Sequence, residues 1–238
     1  LITYVAARIS TLFFKGPIDK EHRQLANTLI NILSGGLSIL LVFIIINTWG
    51  YLMQARDNTS KEADYLAAII RNIAVFPPEP QAKIYEATKN YTVAVRVDEW
   101  QTMQRGQVSQ KAADALEALY ASVQAFQPST RQQFYFYSRV IADINSVLQA
   151  RRERLNKMDS VIPEPLKISL LIGSIILAII LGGIRGEYNF LNITPALLFA
   201  VSLGFNIALA LSFDYPYSGS ISVSNKLFYS GVLGRFPD

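Results

Sequence analysis

Three stretches of this chain, Leu25–Tyr51, Ile168–Ile184 and Ile193–Phe213, carry no Asp, Glu, Lys or Arg. A helix of about 20 apolar residues crosses the roughly 30 Å hydrocarbon core of a bilayer. The first stretch is long enough to span with tilt and the other two are just long enough, so three membrane helices are predicted. Leu1–Phe14 is also apolar and aromatic, broken only by Arg8. Two readings of it are open: the end of a longer membrane helix, or an amphipathic helix lying in the interface. The first is preferred, because the rest of the architecture asks for an even number of crossings. The chain begins at Leu1 without a methionine, and no signal-peptide pattern is visible.

Polar periodicity takes over beyond Tyr51. Leu66, Ile69, Ile70 and Ile73 fall at i, i+3, i+4 and i+7, the stripe of an amphipathic helix. The long apolar helix is therefore expected to continue until Pro77, Pro78 and Pro80 stop it. Ile84, Tyr91, Val95 and Trp100 mark the next helix, which ends near Gly106. Ser109 is the expected N-cap of a helix buried through Leu116, Leu119, Tyr120, Val123 and Phe126. Ser129 or Thr130 caps another, with Phe134, Tyr137, Ile141, Ile144 and Leu148 as its predicted apolar face, and Pro163 and Pro165 mark the return to the membrane. Helices apolar on one stripe must pack on one another, which predicts an antiparallel bundle. The expected organisation is all-α: membrane helices in 1–52, a helical bundle in 53–165, a membrane hairpin in 166–213 through Arg185–Asn192, and a tail in 214–238.

Composition agrees: 51% of residues are hydrophobic and 17% charged, against about 25% charged in a soluble domain. The chain has no cysteine, which excludes disulfides and thiol chemistry. Its single His22 is read as an exposed residue of the charged loop Lys15–Arg23. The net charge of +4 is read as the positive-inside bias, with no nucleic-acid partner. Arg56, Lys61, Arg151, Arg152, Arg154, Lys157 and Lys167 flank the bundle, against Lys15, Lys20, Arg23 and Arg185 on the other side. That balance places the bundle and the C-terminus in the cytoplasm.

No catalytic constellation is present. A triad lacks its histidine, metal sites lack clustered ligands, and Gly35-Gly36 and Gly182-Gly183 lie in apolar helices where close packing explains them. The expectation is no enzyme, no cofactor and no metal. Asp98 and Glu99 are adjacent, hence about 100° apart on a helix, and Glu62 and Asp64 are read as solvated or paired with Lys61 or Arg56. Basic Arg151, Arg152, Arg154 and Lys157 are read as a headgroup-binding cluster or, alternatively, an anion-attracting vestibule.

The polar residues inside the apolar helices carry more. Asn27, Asn31, Ser34 and Ser38 recur at i, i+4, i+7 and i+11. An amide in hydrocarbon is expensive unless it meets water or a partner. The stripe therefore borders a water-filled pore or bonds to a neighbouring helix; Ser202 and Asn206 pose the same question. A second face carries Ile32, Gly36, Ile39 and Phe43, a candidate apolar neck of the kind that gates by dewetting. Ala196, Ala200, Gly204 and Ala208 form a small-residue ladder that lets another helix approach.

At the end of the last apolar segment the chain reads Asp214-Tyr215-Pro216-Tyr217-Ser218-Gly219-Ser220-Ile221-Ser222-Val223. Together with Trp49, Tyr51, Ala55, Glu62-Ala63 and Glu99-Trp100, this resembles the bestrophin-like family of bacterial membrane proteins, remote relatives of the bestrophin anion channels. The resemblance covers nearly the whole chain, and Asp214, Pro216, Tyr217 and Gly219 form its most specific motif. It implies a homo-oligomer, a pentamer by analogy, in the bacterial inner membrane, with four crossings per subunit and a pore lined by Leu25–Tyr51 that passes chloride or other small anions. Placing Trp49 on the terminal tryptophan of the family's pore helix sets Ile32, Gly36 and Leu40 at the neck, with no aromatic among them. The acidic run of the animal calcium clasp is missing after Gly219, so calcium gating is not implied. The alternative function is a non-conducting membrane scaffold or sensor whose bundle binds a partner.

Overall fold

The computed structural model describes residues 20–183 and 190–238. The segment Leu1–Phe14, the loop residues before Lys20, and Arg185 lie outside the described residues. Among those described, the regular elements are helices only. Helix α1 is Lys20–Asn72, closed by a 3-10 turn at Ile73–Val75. It starts five residues before the apolar run, so His22 sits exposed in its first turn rather than in a loop. Then follow α2 (Pro78–Ala94), a π-helical turn at Val95–Glu99, α3 (Trp100–Met103), α4 (Gln110–Gln124) and α5 (Arg131–Leu155). Helices α6 (Glu164–Gly183) and α7 (Phe190–Ser212) come next, and the chain closes in 3-10 turns at Asn225–Tyr229 and Leu233–Arg235.

The punctuation follows local chemistry. Pro77 ends the first helical run, and Pro78 opens α2 where a missing N–H is harmless. Ser109 caps α4 by accepting from the Ala112 N–H, and Thr130 caps α5 by accepting from the Gln133 N–H. Gly106 turns the chain after α3 with φ of 70°, a conformation open to glycine.

The chain divides into two compact units, one of residues 1–49 and 161–214, the other of 50–160 and 215–238. In the first, Leu37, Leu41 and Ile44 of α1 pack with Ile162, with Leu170 and Leu177 of α6, and with Ala210 of α7. Gly173 allows that approach, since a Cβ there would stand 2.7 Å from the Leu37 Cδ2. Trp49 meets Phe213 edge-on at 5.5 Å. Asp214, buried, accepts the Val161 N–H at its backbone carbonyl (2.9 Å) and the Ile162 N–H at Oδ1 (2.8 Å). Its Oδ2 meets the Lys167 ammonium at 2.7 Å. Among the described residues two helices, Lys20–Val75 and Glu164–Leu181, are long and apolar enough to cross a membrane, and Ala196–Ser212 is a shorter apolar helix.

In the second unit the buried stripes of α1 and its closing turn (Leu66, Ile69, Ile73), α2 (Ile84, Tyr91) and α4 (Leu116, Leu119, Val123) are those expected, with Ile70 and Tyr120 of the same stripes half-buried. Helix α5 differs. Ile144 is buried as expected, but Phe134 is 64% exposed and Leu148 39% exposed, while Val140, Val147, Ala150 and Arg154 are buried. At about 100° per residue, the buried face lies roughly a quarter-turn from the predicted apolar stripe. An arginine stands in it, so hydrophobicity alone points the helix the wrong way. Tyr215–Asp238, set apart in sequence as a tail, belongs to this unit. Arg96, in the π turn, is buried and donates to the carbonyls of Phe228 (Nε, 3.0 Å) and Phe236 (Nη1, 3.0 Å) and also to that of Leu233. Its guanidinium lies 4.1 Å from the centre of the Tyr229 ring and reaches Asp238 at 3.3 Å.

Arg96→Met keeps the volume but leaves those three buried carbonyls without their donor, at about 1–3 kcal/mol each. Amide hydrogen exchange in 225–236 is expected to rise steeply in that variant while α4 keeps its protection; unchanged tail protection would show that the guanidinium does not hold it.

Candidate functional site

Helix α1 is long because nothing in it breaks the pattern: no proline or π turn interrupts Lys20–Asn72. Within the first unit its buried residues Leu37, Leu41, Ile44 and Thr48 share one face. Relative to that face, at about 100° per residue, Asn27, Asn31, Ser34 and Ser38 sit around 80° away on one flank. The set Ile32, Gly36, Ile39 and Phe43 sits about 140° from that stripe, on the side turned from the helix's own core. The two candidate sets thus occupy different faces, and one axis cannot be lined by both at once.

Asn27, Asn31 and Ser38 are exposed, and their side chains make no hydrogen bond among the described residues. Ser34 donates to the Asn31 carbonyl at 3.3 Å, a bond internal to the helix. Asn47 donates to the Phe43 carbonyl at 2.8 Å, and Asn206 to that of Ser202 at 2.8 Å, so both are satisfied within their own helices. On the apolar face Ile32, Ile39 and Phe43 are 65%, 74% and 60% exposed. Gly36 leaves open space where a Cβ would stand. Leu40 departs from them: it is half-buried and packs on the core of its unit.

The basic cluster is not the cationic surface expected. Arg154 is fully buried: its Nε and Nη2 donate to Glu62 at 2.7 and 3.0 Å, and Nη2 also to Glu99 at 2.7 Å. Its Nη1 meets the Met103 sulfur at 2.7 Å, and Trp100 lies beneath the guanidinium. Glu99 takes a second arginine, Arg151, through Nε at 3.1 Å, and Tyr91 donates to Glu62 at 2.6 Å. Glu62 is therefore neither solvated nor paired with Lys61 or Arg56; Lys61 pairs with Asp57 instead. Two carboxylates and two guanidiniums cancel, so Arg151 and Arg154 have no net charge to draw anions, and of the cluster only Arg152 and Lys157 remain outside these ion pairs. Burial opposes the Arg154 charge, but Glu62 and Glu99 more than offset it and hold its pKa well above the usual arginine value. Burial and the neighbouring Glu62 charge push the Tyr91 phenol well above its usual value. The π turn is what aims both buried charges of its segment, Arg96 at the C-terminal segment and Glu99 at α5. Sequence periodicity misses this, because the widened turn breaks the 3.6-residue register; the one signal available was an arginine at a core spacing.

The motif residues act on the backbone. Asp214 is the clasp described above. Pro216 accepts the Val223 N–H at 2.8 Å, and Gly219 donates to Tyr215 at 2.9 Å, closing the turn. Tyr217, buried against Trp100, donates to the Ala55 carbonyl at 3.1 Å, and burial pushes its pKa up to about 12. No cluster of three His, Asp or Glu side chains able to hold a metal ion occurs among the described residues.

An all-helical chain with a continuous helix of 53 residues, an apolar helical pair and a bundle locked by buried ion pairs defines a fold class already represented among solved structures. A bacterial bestrophin homologue from Klebsiella pneumoniae superposes with a TM-score of 0.73 at 11% identity, over 99% of this chain and 97% of that one. A point variant of that homologue gives 0.73 at 9% identity over 94% and 92%, and a point variant of a membrane protein gives 0.72 at 10% over 94% and 91%. No curated protein matches by sequence. The model of the bestrophin-like domain matches residues 1–228. The chain belongs to the bestrophin-like family.

Tyr91 and Tyr217 have pKa values raised in the fold. Their contribution to stability is thus complete below the ordinary value near 10 and is lost as pH climbs through the raised values. Phenolate absorbance in detergent should show Tyr91 and Tyr217 titrating late with loss of helix, beside Tyr229, whose phenol is raised by burial and by its hydrogen bond to Asp238. Tyr217→Phe should remove one of these three and lower stability by about 1 kcal/mol through the lost hydrogen bond; three late phenols surviving in Tyr217→Phe would refute the assignment.

Proposed function

We propose that this chain forms an oligomeric channel for chloride or other small anions in the bacterial inner membrane, with α1 of each subunit lining the axis. The observation that carries the reading is the row Asn27, Asn31 and Ser38, exposed and without side-chain partners among the described residues, within the uncharged stretch of α1. Polar groups in hydrocarbon need water or a second polar group, and an aqueous axis supplies it. Asparagine presents N–H donors that replace part of an anion's hydration shell, while an uncharged lining discriminates weakly among small ions. Membership of the bestrophin-like family supports the same reading. In it each subunit crosses four times, the helical unit 50–160 faces the cytoplasm, and the assembly is a pentamer as in the bestrophins. The chemistry is permeation, not catalysis.

A second reading of the lining has its own support. Ile32, Gly36, Ile39 and Phe43 project away from the helix's own core. In a closed ring of subunits that side faces the axis, which would make the apolar set the constriction and the Asn stripe the glue between neighbours.

The test is a planar-bilayer recording of purified protein under a chloride gradient. A reversal potential near the chloride equilibrium value is expected. Asn31→Asp places a carboxylate in the lining and should cut anion conductance and move the reversal potential toward the cation value with the oligomer intact. If Asn31→Asp only dissociates the oligomer, and Ile39→Thr alters the current, the apolar face is the lining. Silence from well-assembled protein would make it a scaffold, with Phe134 and Tyr135 among the exposed aromatics of its bundle.

A further inference from the structure

Within the helical unit, Lys157 carries its charge without a counter-ion. Its ammonium donates to the Gln54 amide oxygen at 2.7 Å and lies 5.4 Å from the centre of the Tyr51 ring. It forms no ion pair among the described residues. Glu153 is the carboxylate whose charge reaches it, but that acid accepts from the Gln149 amide at 3.0 Å instead. Burial therefore outweighs Glu153 and pulls the Lys157 pKa below the ordinary lysine value.

Asn58 stands one turn beyond Gln54 on the same face of α1. It is 7% exposed, and its side chain makes no hydrogen bond among the described residues. Lys61, the next residue along that face, pairs with Asp57 at 2.6 Å and also feels the charge of Glu153. Asn58 is thus bracketed by the end of α5 and the turn after it, with Gln54 meeting Lys157 on one side and Lys61 facing Glu153 on the other. A buried amide left unpaired loses its hydration with nothing in return. Such groups are rare enough in native folds that each asks for a reason.

What this group of side chains lacks is an acceptor. Lys157 has N–H donors beyond the one given to Gln54, and both amide nitrogens are free to donate. Against them stand the Asn58 carbonyl oxygen and the Glu153 carboxylate. The ammonium repels a cation and attracts an anion. Side chains one turn apart have Cβ atoms about 5–6 Å apart, a spacing that an anion with several oxygens bridges and a halide, a single atom, does not. Three donor groups match the oxygens of a phosphate better than the two of a carboxylate, and lysine binds phosphate as a point charge. We propose that Gln54, Asn58 and Lys157, beside the Tyr51 ring, form a binding site for a phosphate group, that of a phospholipid headgroup or free phosphate. All four residues belong to the helical unit, so the site depends neither on conduction nor on which face of α1 is the lining.

The full chain is purified in detergent and stripped of lipid, and acetylation of each lysine is followed by mass spectrometry. Inorganic phosphate at about ten times its Kd should slow Lys157 about tenfold by occupancy. Lys83, exposed and paired with Glu79, should keep its rate, and chloride at the same ionic strength should protect neither. The labelling is repeated without free phosphate in phosphatidylcholine nanodiscs with and without phosphatidylglycerol. Protection by the lipid alone assigns the headgroup, protection by inorganic phosphate alone assigns the free ion, and either supports the site. Asn58→Leu should lose the protection while the unliganded fold keeps its stability, because the amide it removes has no partner. Gln54→Ala, at an exposed position, should weaken the protection and carries the test if Asn58→Leu does not fold. The site is refuted if neither source protects Lys157 or if chloride protects it equally. It is refuted as well if protection survives in full in Asn58→Leu or, where that variant does not fold, in Gln54→Ala.

Discussion

Arg154 is fully buried, and the bundle is arranged so that protein groups meet its whole charge. Its partners come from distant parts of the sequence of the helical unit, Glu62 near the start and Glu99 in the middle, with Arg151 and Tyr91 completing the ring. A lone buried guanidinium or carboxylate would lose several kcal/mol of hydration with nothing in return. The segments carrying these groups are thus obliged to meet in one arrangement. The π turn at Val95–Glu99 is part of that obligation. It departs from regular α-helix in a segment with two buried charges, and the ion pairs of Glu99 together with the carbonyl bonds of Arg96 supply what the looser turn gives up.

The same reasoning explains what was legible beforehand. Helix ends were readable because caps and prolines act locally: Ser109, Thr130, Pro77 and Pro78 work through neighbouring backbone atoms. The buried faces of α2 and α4 were readable because apolar side chains fill them. The face of α5 was not, since its centre is Arg154, and a hydrophobic count rejects arginine. Likewise the row Arg151, Arg152, Arg154 and Lys157 looks like a cationic surface in sequence. Only tertiary structure shows that two of its four members are spent on Glu62 and Glu99. The polar stripe on α1 was visible as spacing, but its offset of about 140° from the apolar set becomes decisive only once the buried face of α1 is known.

The family motif follows a related rule. Asp214, Pro216, Tyr217 and Gly219 are the most recognisable residues of the chain, and they bind backbone: Asp214 the N–H groups of Val161 and Ile162, Tyr217 the carbonyl of Ala55. Recognisability here comes from backbone geometry that few side chains satisfy, not from chemistry on a permeant ion. Asp214 also meets Lys167 at 2.7 Å, so the clasp joins the start of α6 to the end of α7 by charge as well as by hydrogen bonds.

Why a chain so apolar should keep a neutral cage of four charges in its helical unit follows from what each half can specify. The first unit is held by Leu, Ile and Ala contacts, which are non-directional and nearly indifferent to small rotations of a helix. The helical unit instead uses contacts whose hydrogen-bond geometry is sharp: the fork of Arg154 fixes the Glu62 carboxylate in rotation as well as in place. Directional contacts in one unit and forgiving contacts in the other thus divide the work: the second lets apolar helices pack closely, and the first admits only one arrangement of the helices that carry the buried charges.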